Sequence, residues 1–214
     1  MTAARTTRAD RPRPGLRERK KTRTRRAIRG AAYALIEERG YDATTIEIAR
    51  HADVSPSTVL RYFPAKEDIF VTVEWDAVMA AELRARPADE PWADVLRHVL
   101  RTVLDRSLAE EPEVTRLRAR LGVEVPAVRA RMTERMAGTG HLLRQALAER
   151  SGLAPDSLEL RVFSTAVVGG LMEVSRYWAE TGHRDDIRQL ADRALDVLER
   201  GLPTGNPRGR RPSP

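Results

Sequence analysis

Apolar side chains recur along this chain at helical spacing and show no convincing strict alternation, so the pattern predicts helices and no strands. The first helix covers about Leu16 to Arg39, with Ile28, Ala31, Ala32, Leu35 and Ile36 on one face and Gly40 as a left-handed stop. The second starts at Thr44, where Glu47 three residues on completes a capping box. It buries Ile48, Ala49 and Ala52 and is broken by Asp53-Val54-Ser55. Ser55 caps a third helix, with Pro56 at its first position, where a missing N–H costs nothing, and an end near Tyr62-Phe63-Pro64. Longer helices follow over about residues 66–86, 92–110, 113–122, 126–150, 156–181 and 185–200, the fifth, seventh and eighth of the series introduced by Pro91, Pro126 and Pro155. Gly138 and Gly140 weaken the seventh by roughly 1 kcal/mol each relative to alanine, which makes it a place for a kink. The expected fold is all-α with about nine helices. A small three-helix domain spans 16–66 and a larger helical domain spans 67–201. The arm 1–15 and the tail 202–214 carry proline and charge but few aliphatics, and are expected to be disordered.

With 214 residues the chain can bury a core without staples, and it has no cysteine. Disulfide scaffolds, thiolate metal sites and cysteine nucleophiles are excluded, and a reducing compartment is the natural setting. No apolar run approaches the ~18 residues that span a bilayer, and the arginine-rich start lacks the apolar stretch of a secretory signal. A soluble cytoplasmic protein with no membrane partner is expected. Charge changes the picture more. Residues 1–66 hold 16 basic against 7 acidic side chains, and the remainder holds 22 against 24. A basic third on a mildly acidic body implies a polyanion partner at one end, or else a solvated arm. Arginine outnumbers lysine 35 to 3, which genomic base composition explains as readily as function.

Two short helices joined by a three-residue turn, behind a basic helix, have the outline of a helix-turn-helix. The second helix must sit over the DNA backbone, and its capped start presents N–H groups and a dipole to a phosphate. The third must expose short polar side chains to enter the major groove. Ser55, Ser57, Thr58 and Arg61 meet that need, while Val54 and Val59 face inward and hold the pair together.

The residues narrow this further. Thr44-Thr45-Ile46-Glu47-Ile48-Ala49, then Ala52-Asp53-Val54-Ser55, then Thr58 and Tyr62-Phe63-Pro64-Ala65-Lys66-Glu67-Asp68-Ile69 resemble the DNA-binding domain of the TetR family of bacterial transcriptional regulators. Upstream, Ala27 to Gly40 followed by Tyr41 looks like the family's first helix and its exit. The resemblance covers about 50 residues; the downstream helices resemble the family more in number and length than in sequence. It implies that Pro56, Ser57, Leu60 and Arg61 face base edges. Thr45, Ser55, Thr58, Tyr62 and Lys66 would grip phosphates, and the cluster from Lys20 to Arg26, with Lys20, Lys21 and Arg23, would reach the backbone or an adjacent minor groove. Phosphate contacts set register and base contacts set sequence preference. Arg61 suits a bidentate bond to guanine, or alternatively one more phosphate. Tyr62 is either a phosphate contact or a core aromatic with its hydroxyl at the surface. Several positions depart from the family pattern. Asp53 and Ser57 stand where many relatives have glycine, Leu60 replaces a frequent tyrosine and offers an apolar face to a thymine methyl, and Ala65 lacks the oxygen that often caps the next helix, at about 1 kcal/mol.

The larger half resembles the family's ligand-binding and dimerisation domain. The resemblance implies that the last two helices pair with their twins, through Val167, Gly170, Leu171, Val174, Trp178, Leu190, Ala194 and Leu198. The same stripes would also serve a protomer's own core. A small-molecule effector would lie among Met79, Leu83, Leu100, Leu104, Leu117, Leu121, Met132, Met136, Leu143 and Phe163, each equally readable as plain core. Arg116, Arg118, Arg120, Arg129 and Arg131 form either a receptor for an anionic group or a solvated face. Leu-Arg-Ala-Arg and Val-Arg-Ala-Arg around Pro126 loosely resemble regulators that sense acyl-CoA-like ligands. No cofactor is implied. An enzyme is not expected, since His51, His98, His141 and His183 lack metal-ligand spacing and no phosphate-binding loop follows a strand. The expected function is a ligand-released repressor that binds a palindromic double-stranded DNA operator as a homodimer. The competing reading is a helical adaptor with a nonspecific basic arm.

Overall fold

A computed structural model describes residues 16–71 and 76–202, and all regular structure in them is helical. The expectations for the arm, for the tail from 203 onward and for residues 72–75 lie outside the described residues. The chain divides into two compact units, one ending at Ile69 and the other beginning at Phe70.

The first unit holds α1 (Leu16–Arg39), α2 (Thr45–His51), α3 (Pro56–Tyr62) and the start of α4 (Lys66–Val71). The apolar face of α1 buries Ile28, Ala32, Leu35 and Ile36, with Tyr33 beside them; Ala43, then Ile48 and Ala49 of α2, Val59 of α3, Phe63 and Ile69 are buried with them in this unit. Gly40 stops α1 with φ at 77°, and its N–H reaches the Ile36 carbonyl at 2.8 Å. Asp53 stands left-handed in the turn between α2 and α3, φ 52°, a conformation that aspartate tolerates better than most residues. Ala65 offers no cap to α4, but the buried Asp68 carboxylate accepts the Ala65 N–H at 3.0 Å and so offsets part of the missing cap.

The second unit contains α5 (Asp76–Ala85), α6 (Trp92–Glu110), α7 (Pro112–Glu124), α8 (Pro126–Ser151), α9 (Leu158–Glu180) and α10 (Ile187–Arg200). The expected helix over 66–86 is described on either side of residues 72–75, as α4 and α5. The last two helices begin later than expected, because Ser157 and Asp186 act as the caps: their side chains accept the backbone N–H of Leu160 and Arg188. Here α9 packs against α7, α8 and α10. Its inner side joins Leu83, Val95, Leu96, Val99, Leu143, Leu147 and Leu195 in the main core, through Leu160, Val167 and Val168. A second cluster gathers Ala119, Trp178, Ile187 and Leu190.

Charged residues tie α6 to α10 along an antiparallel seam. Arg97 reaches Asp196 at 2.5 Å and Glu199 at 3.1 Å, Arg101 reaches Asp192 at 2.6 Å, and Arg188 returns to Asp105 at 2.5 Å. On α8, Arg150 donates to the carbonyls of Arg86, Pro87 and Glu90, holding the segment between α5 and α6. None of the helices in the described residues is long and apolar enough to cross a membrane.

Candidate nucleic-acid interface

The two helices α2 and α3 are each fixed at their start by local hydrogen bonds. At the start of α2 the Glu47 carboxylate accepts the Thr44 N–H and hydroxyl, each at 2.8 Å, and the Thr44 oxygen accepts the Glu47 N–H at 3.3 Å. The backbone N–H of Thr44, its hydroxyl, and the charges of Arg39 and Arg50 hold the Glu47 carboxyl below its ordinary pKa. At the start of α3 Ser55 Oγ accepts the Thr58 N–H at 3.1 Å and lies 2.9 Å from Ser57 Oγ and 2.8 Å from Thr58 Oγ1. These hydroxyls satisfy one another and a backbone donor, so this end of the helix is locally ordered.

Val59 is fully buried and sets the rotation of α3. Ser55, Pro56, Ser57, Leu60 and Arg61 are then exposed, while Thr58 and Tyr62 are half-buried. The Arg61 guanidinium carbon lies 5.3 Å from the centre of the Tyr62 ring. Thr45 is half-buried at the start of α2, and Lys20, Lys21 and Arg23 are exposed on the first half of α1. The residues expected at base edges therefore share one exposed stretch of α3.

Lys66 differs from expectation. Its ammonium donates to the Tyr41 carbonyl and stands 3.9 Å above the centre of the Tyr41 ring. Burial lowers its pKa, against the opposing charges of Glu67, Asp42 and Glu47. The Tyr41 hydroxyl in turn donates to Glu67 at 2.7 Å, and burial followed by that carboxylate raises its pKa. In the free protein Lys66 is therefore turned onto the segment between α1 and α2. Sequence reasoning missed this latch because its partners lie 25 and 26 positions apart, with no periodicity to connect them.

The expected effector residues separate. Leu83, Leu117, Leu121 and Leu143 are buried. Met79, Leu100, Met136 and Phe163 pack on the main core, where Phe163 meets Trp92 edge to face with centroids 4.6 Å apart. Leu104 belongs to the second cluster instead. Met132 is half-buried against α7, with its sulfur 2.8 Å from where a Cβ on Gly122 would stand. The arginine run is engaged by its own neighbours: Arg116 with Glu113, Arg120 with Glu124, Arg131 with Glu134, and Arg129 with the carbonyls of Gly122 and Val123 at the end of α7.

Two expected dimer residues need correction. Val167 and Trp178 are buried at 1% and 4% exposure, because each faces the protomer's own core. Trp178 also donates its indole N–H to the Asp185 carbonyl at 2.9 Å. The surface between α9 and α10 is instead an open groove of ≈ 330 Å³ whose walls include Gly170, Val174, Tyr177, Ala194, Val197 and Leu198, with Leu190 exposed only slightly at its floor. Leu171 packs on the main core. Tyr177 and Val197 were missed, since each adjoins other apolar residues and sequence spacing does not rank them. Among the histidines, His98 meets Glu82 at 3.3 Å and His141 meets Arg144 and Gln145; no group of three metal-ligating side chains occurs among the described residues.

Two short capped helices behind a basic helix, with an exposed face bearing arginine and hydroxyls, define a helix-turn-helix DNA-binding protein. Comparison with known proteins gives the family. Residues 28–73 match the model described as "Bacterial regulatory proteins, tetR family", and residues 90–203, more than half of the chain, match that of the "MftR C-terminal domain" within the same family. The HTH-type transcriptional regulator TcmR of Streptomyces glaucescens is 38% identical over 96 residues, 44% of this chain and 42% of TcmR, so that match spans less than half of the relative. The fatty acid metabolism regulator protein of Bacillus subtilis is 25% identical over 183 residues, 80% of this chain and 92% of that protein. Among solved structures, Thermus thermophilus FadR, a TetR-family transcriptional repressor in complex with lauroyl-CoA, aligns with TM-score 0.57 and 25% identity over 89% of this chain and 98% of its own. The chain belongs to the TetR family of bacterial transcriptional regulators.

Proposed function

We propose that this regulator binds a palindromic double-stranded operator as a homodimer in the bacterial cytoplasm, and represses until a small-molecule effector releases it. The exposed row of Pro56, Ser57, Leu60 and Arg61, fixed outward by the buried Val59, carries this reading. These residues contact base edges, with Arg61 on guanine. Thr45, Ser55, Thr58, Tyr62, Lys20, Lys21 and Arg23 contact the phosphodiester backbone. Lys66 serves the site indirectly, by holding the segment that precedes α2.

One seven-residue helix reads few base pairs, and two half-sites supply the missing affinity. The apolar groove of α9 and α10 supports pairing with a second copy, through Gly170, Val174, Tyr177, Ala194, Val197 and Leu198. The effector is a long-chain acyl thioester held among Met79, Leu100, Met136 and Phe163. That choice is supported by the apolar, methionine-bearing cluster these residues form on the main core and by the fatty-acid and lauroyl-CoA relatives. Its binding re-spaces the two recognition helices. A full switch from ~1:99 to ~99:1 needs about 5.5 kcal/mol of differential affinity between the two states.

Selection of bound sites from a random duplex pool at about 150 mM salt tests the reading. One enriched palindrome is expected, and lauroyl-CoA, but not CoA alone, should release the protein from it. DNA retained without any enriched motif would overturn the regulator reading in favour of a nonspecific basic arm. Release by neither compound would overturn the acyl thioester assignment.

A further inference from the structure

In the major groove the one apolar group that base pairs present is the C5 methyl of thymine, among hydrogen-bond donors and acceptors that arginine and the small polar residues match. On α3 the row from Pro56 to Arg61 contains one large aliphatic side chain that is not buried, Leu60, at 50% exposure. Its neighbour Val59 is at 0%, so the helix cannot roll to bury Leu60 without expelling Val59 from the core. Ser57, one turn earlier on the same side, is a short side chain whose hydroxyl lies 2.9 Å from Ser55 Oγ and is drawn back toward the helix start. Leu60 and Arg61 therefore reach furthest from this surface. A single exposed leucine is ordinary elsewhere on a protein. Here it stands beside a guanidinium on the face turned to a polyanion, where water is its partner in the free protein.

We propose that Leu60 is a specificity-determining residue that reads the methyl group of a thymine in each operator half-site, next to the base pair read by Arg61. This rests on the operator-binding reading above. Leu60 contributes only apolar contact, so the discrimination is between a methyl and a hydrogen at one base position. By the cost of one buried methylene-sized group, it amounts to about fourfold in affinity per half-site.

The test uses the full-length chain and the operator obtained by site selection. Each thymine is replaced in turn by deoxyuridine, which removes the methyl and leaves base pairing unchanged. One symmetry-related pair of positions is expected to lose about fourfold per half-site. With Leu60→Ala that penalty disappears, while with Arg61→Ala overall binding weakens and the penalty persists. Because Leu60 is exposed, the alanine variant should melt with the wild type, and thermal unfolding verifies it. A selected operator whose uracil scan is flat, or whose uracil penalty survives Leu60→Ala, overturns the thymine assignment while leaving the regulator reading standing. Absence of any enriched motif overturns both.

Discussion

Replacing Lys66 with methionine separates two ways in which a lysine can serve DNA binding. The methionine keeps much of the apolar stem but removes the ammonium that donates to the Tyr41 carbonyl and lies over the Tyr41 ring. A hydrogen bond from a charged donor contributes about 1.5–3 kcal/mol, and a partly exposed cation over an aromatic ring about 0.5–1. The ammonium is partly solvated and the methionine still packs, so the expected loss is about 1–3 kcal/mol of stability in the first unit. For a domain of this size that is several degrees in melting temperature. The effect on DNA is different in kind. If Lys66 gripped a phosphate, a dimer would lose two contacts, and the slope of log affinity against log salt would fall by about 1.8. As a latch it leaves the slope unchanged and shifts the line downward, because the segment before α2 is less well held. Fluorescence anisotropy on the selected operator between ~50 and ~200 mM salt reads the slope, and calorimetry reads the stability. A slope reduced by about two with unchanged melting would refute the latch and restore Lys66 as a backbone contact.

Three other perturbations follow from the geometry. Asp53→Asn keeps a residue suited to left-handed backbone, φ 52°, and removes a carboxylate beside the recognition helices; operator affinity at low salt should rise about threefold and the gain should fade as salt screens it, measured by anisotropy. Arg97→Met, in the α6–α10 seam, should lower stability by about 1 kcal/mol, with the loss shrinking at high salt in denaturant titrations, since its partners Asp196 and Glu199 are partly exposed. His183 has its ring edge-on to Trp178 and its buried Nε2 without a hydrogen-bond partner, and burial first, then the charge of Arg116, holds its pKa below the ordinary 6.5. Above that value the imidazole is neutral whether the chain is folded or not. As pH falls through it, the unfolded chain takes the proton first, so stability should decline toward acid, and His183→Asn should flatten that decline in melting curves taken across the range.

The groove beside α9 supports the proposed pairing of two copies. The outer side of α9 exposes Leu158 at 71%, Val162 at 58% and Tyr177 at 44%, and α10 adds Val197 at 45%. An apolar surface shared between two neighbouring helices is the kind that a second copy covers, and Gly170 lets Leu198 approach to 3.6 Å of where its Cβ would stand. The charges that secure α10 lie on its other side, toward α6, and pin the helix to its own protomer.

The sequence by itself determined the local elements and the motif. Thr44 with Glu47, Ser55 with Pro56, and Gly40 are short-range signals, because a cap needs only residues within one turn, and α2 and α3 begin where those signals put them. The single inward face of α1 was equally legible, since Ile28, Ala32, Leu35 and Ile36 repeat on one side. The tertiary structure decided which side of α9 is core. That helix is apolar around much of its circumference, with Leu160, Ser164, Val167 and Trp178 inside and Leu158, Val162 and Tyr177 outside, so periodicity supplies candidates for both faces but does not assign them. It also decided the fate of Lys66, whose partner Tyr41 is brought near only when α1, α2 and α4 have packed. Caps and periods are short-range physics carried by neighbours in the chain; the choice of face and of distant partner is made by what else competes for the same space.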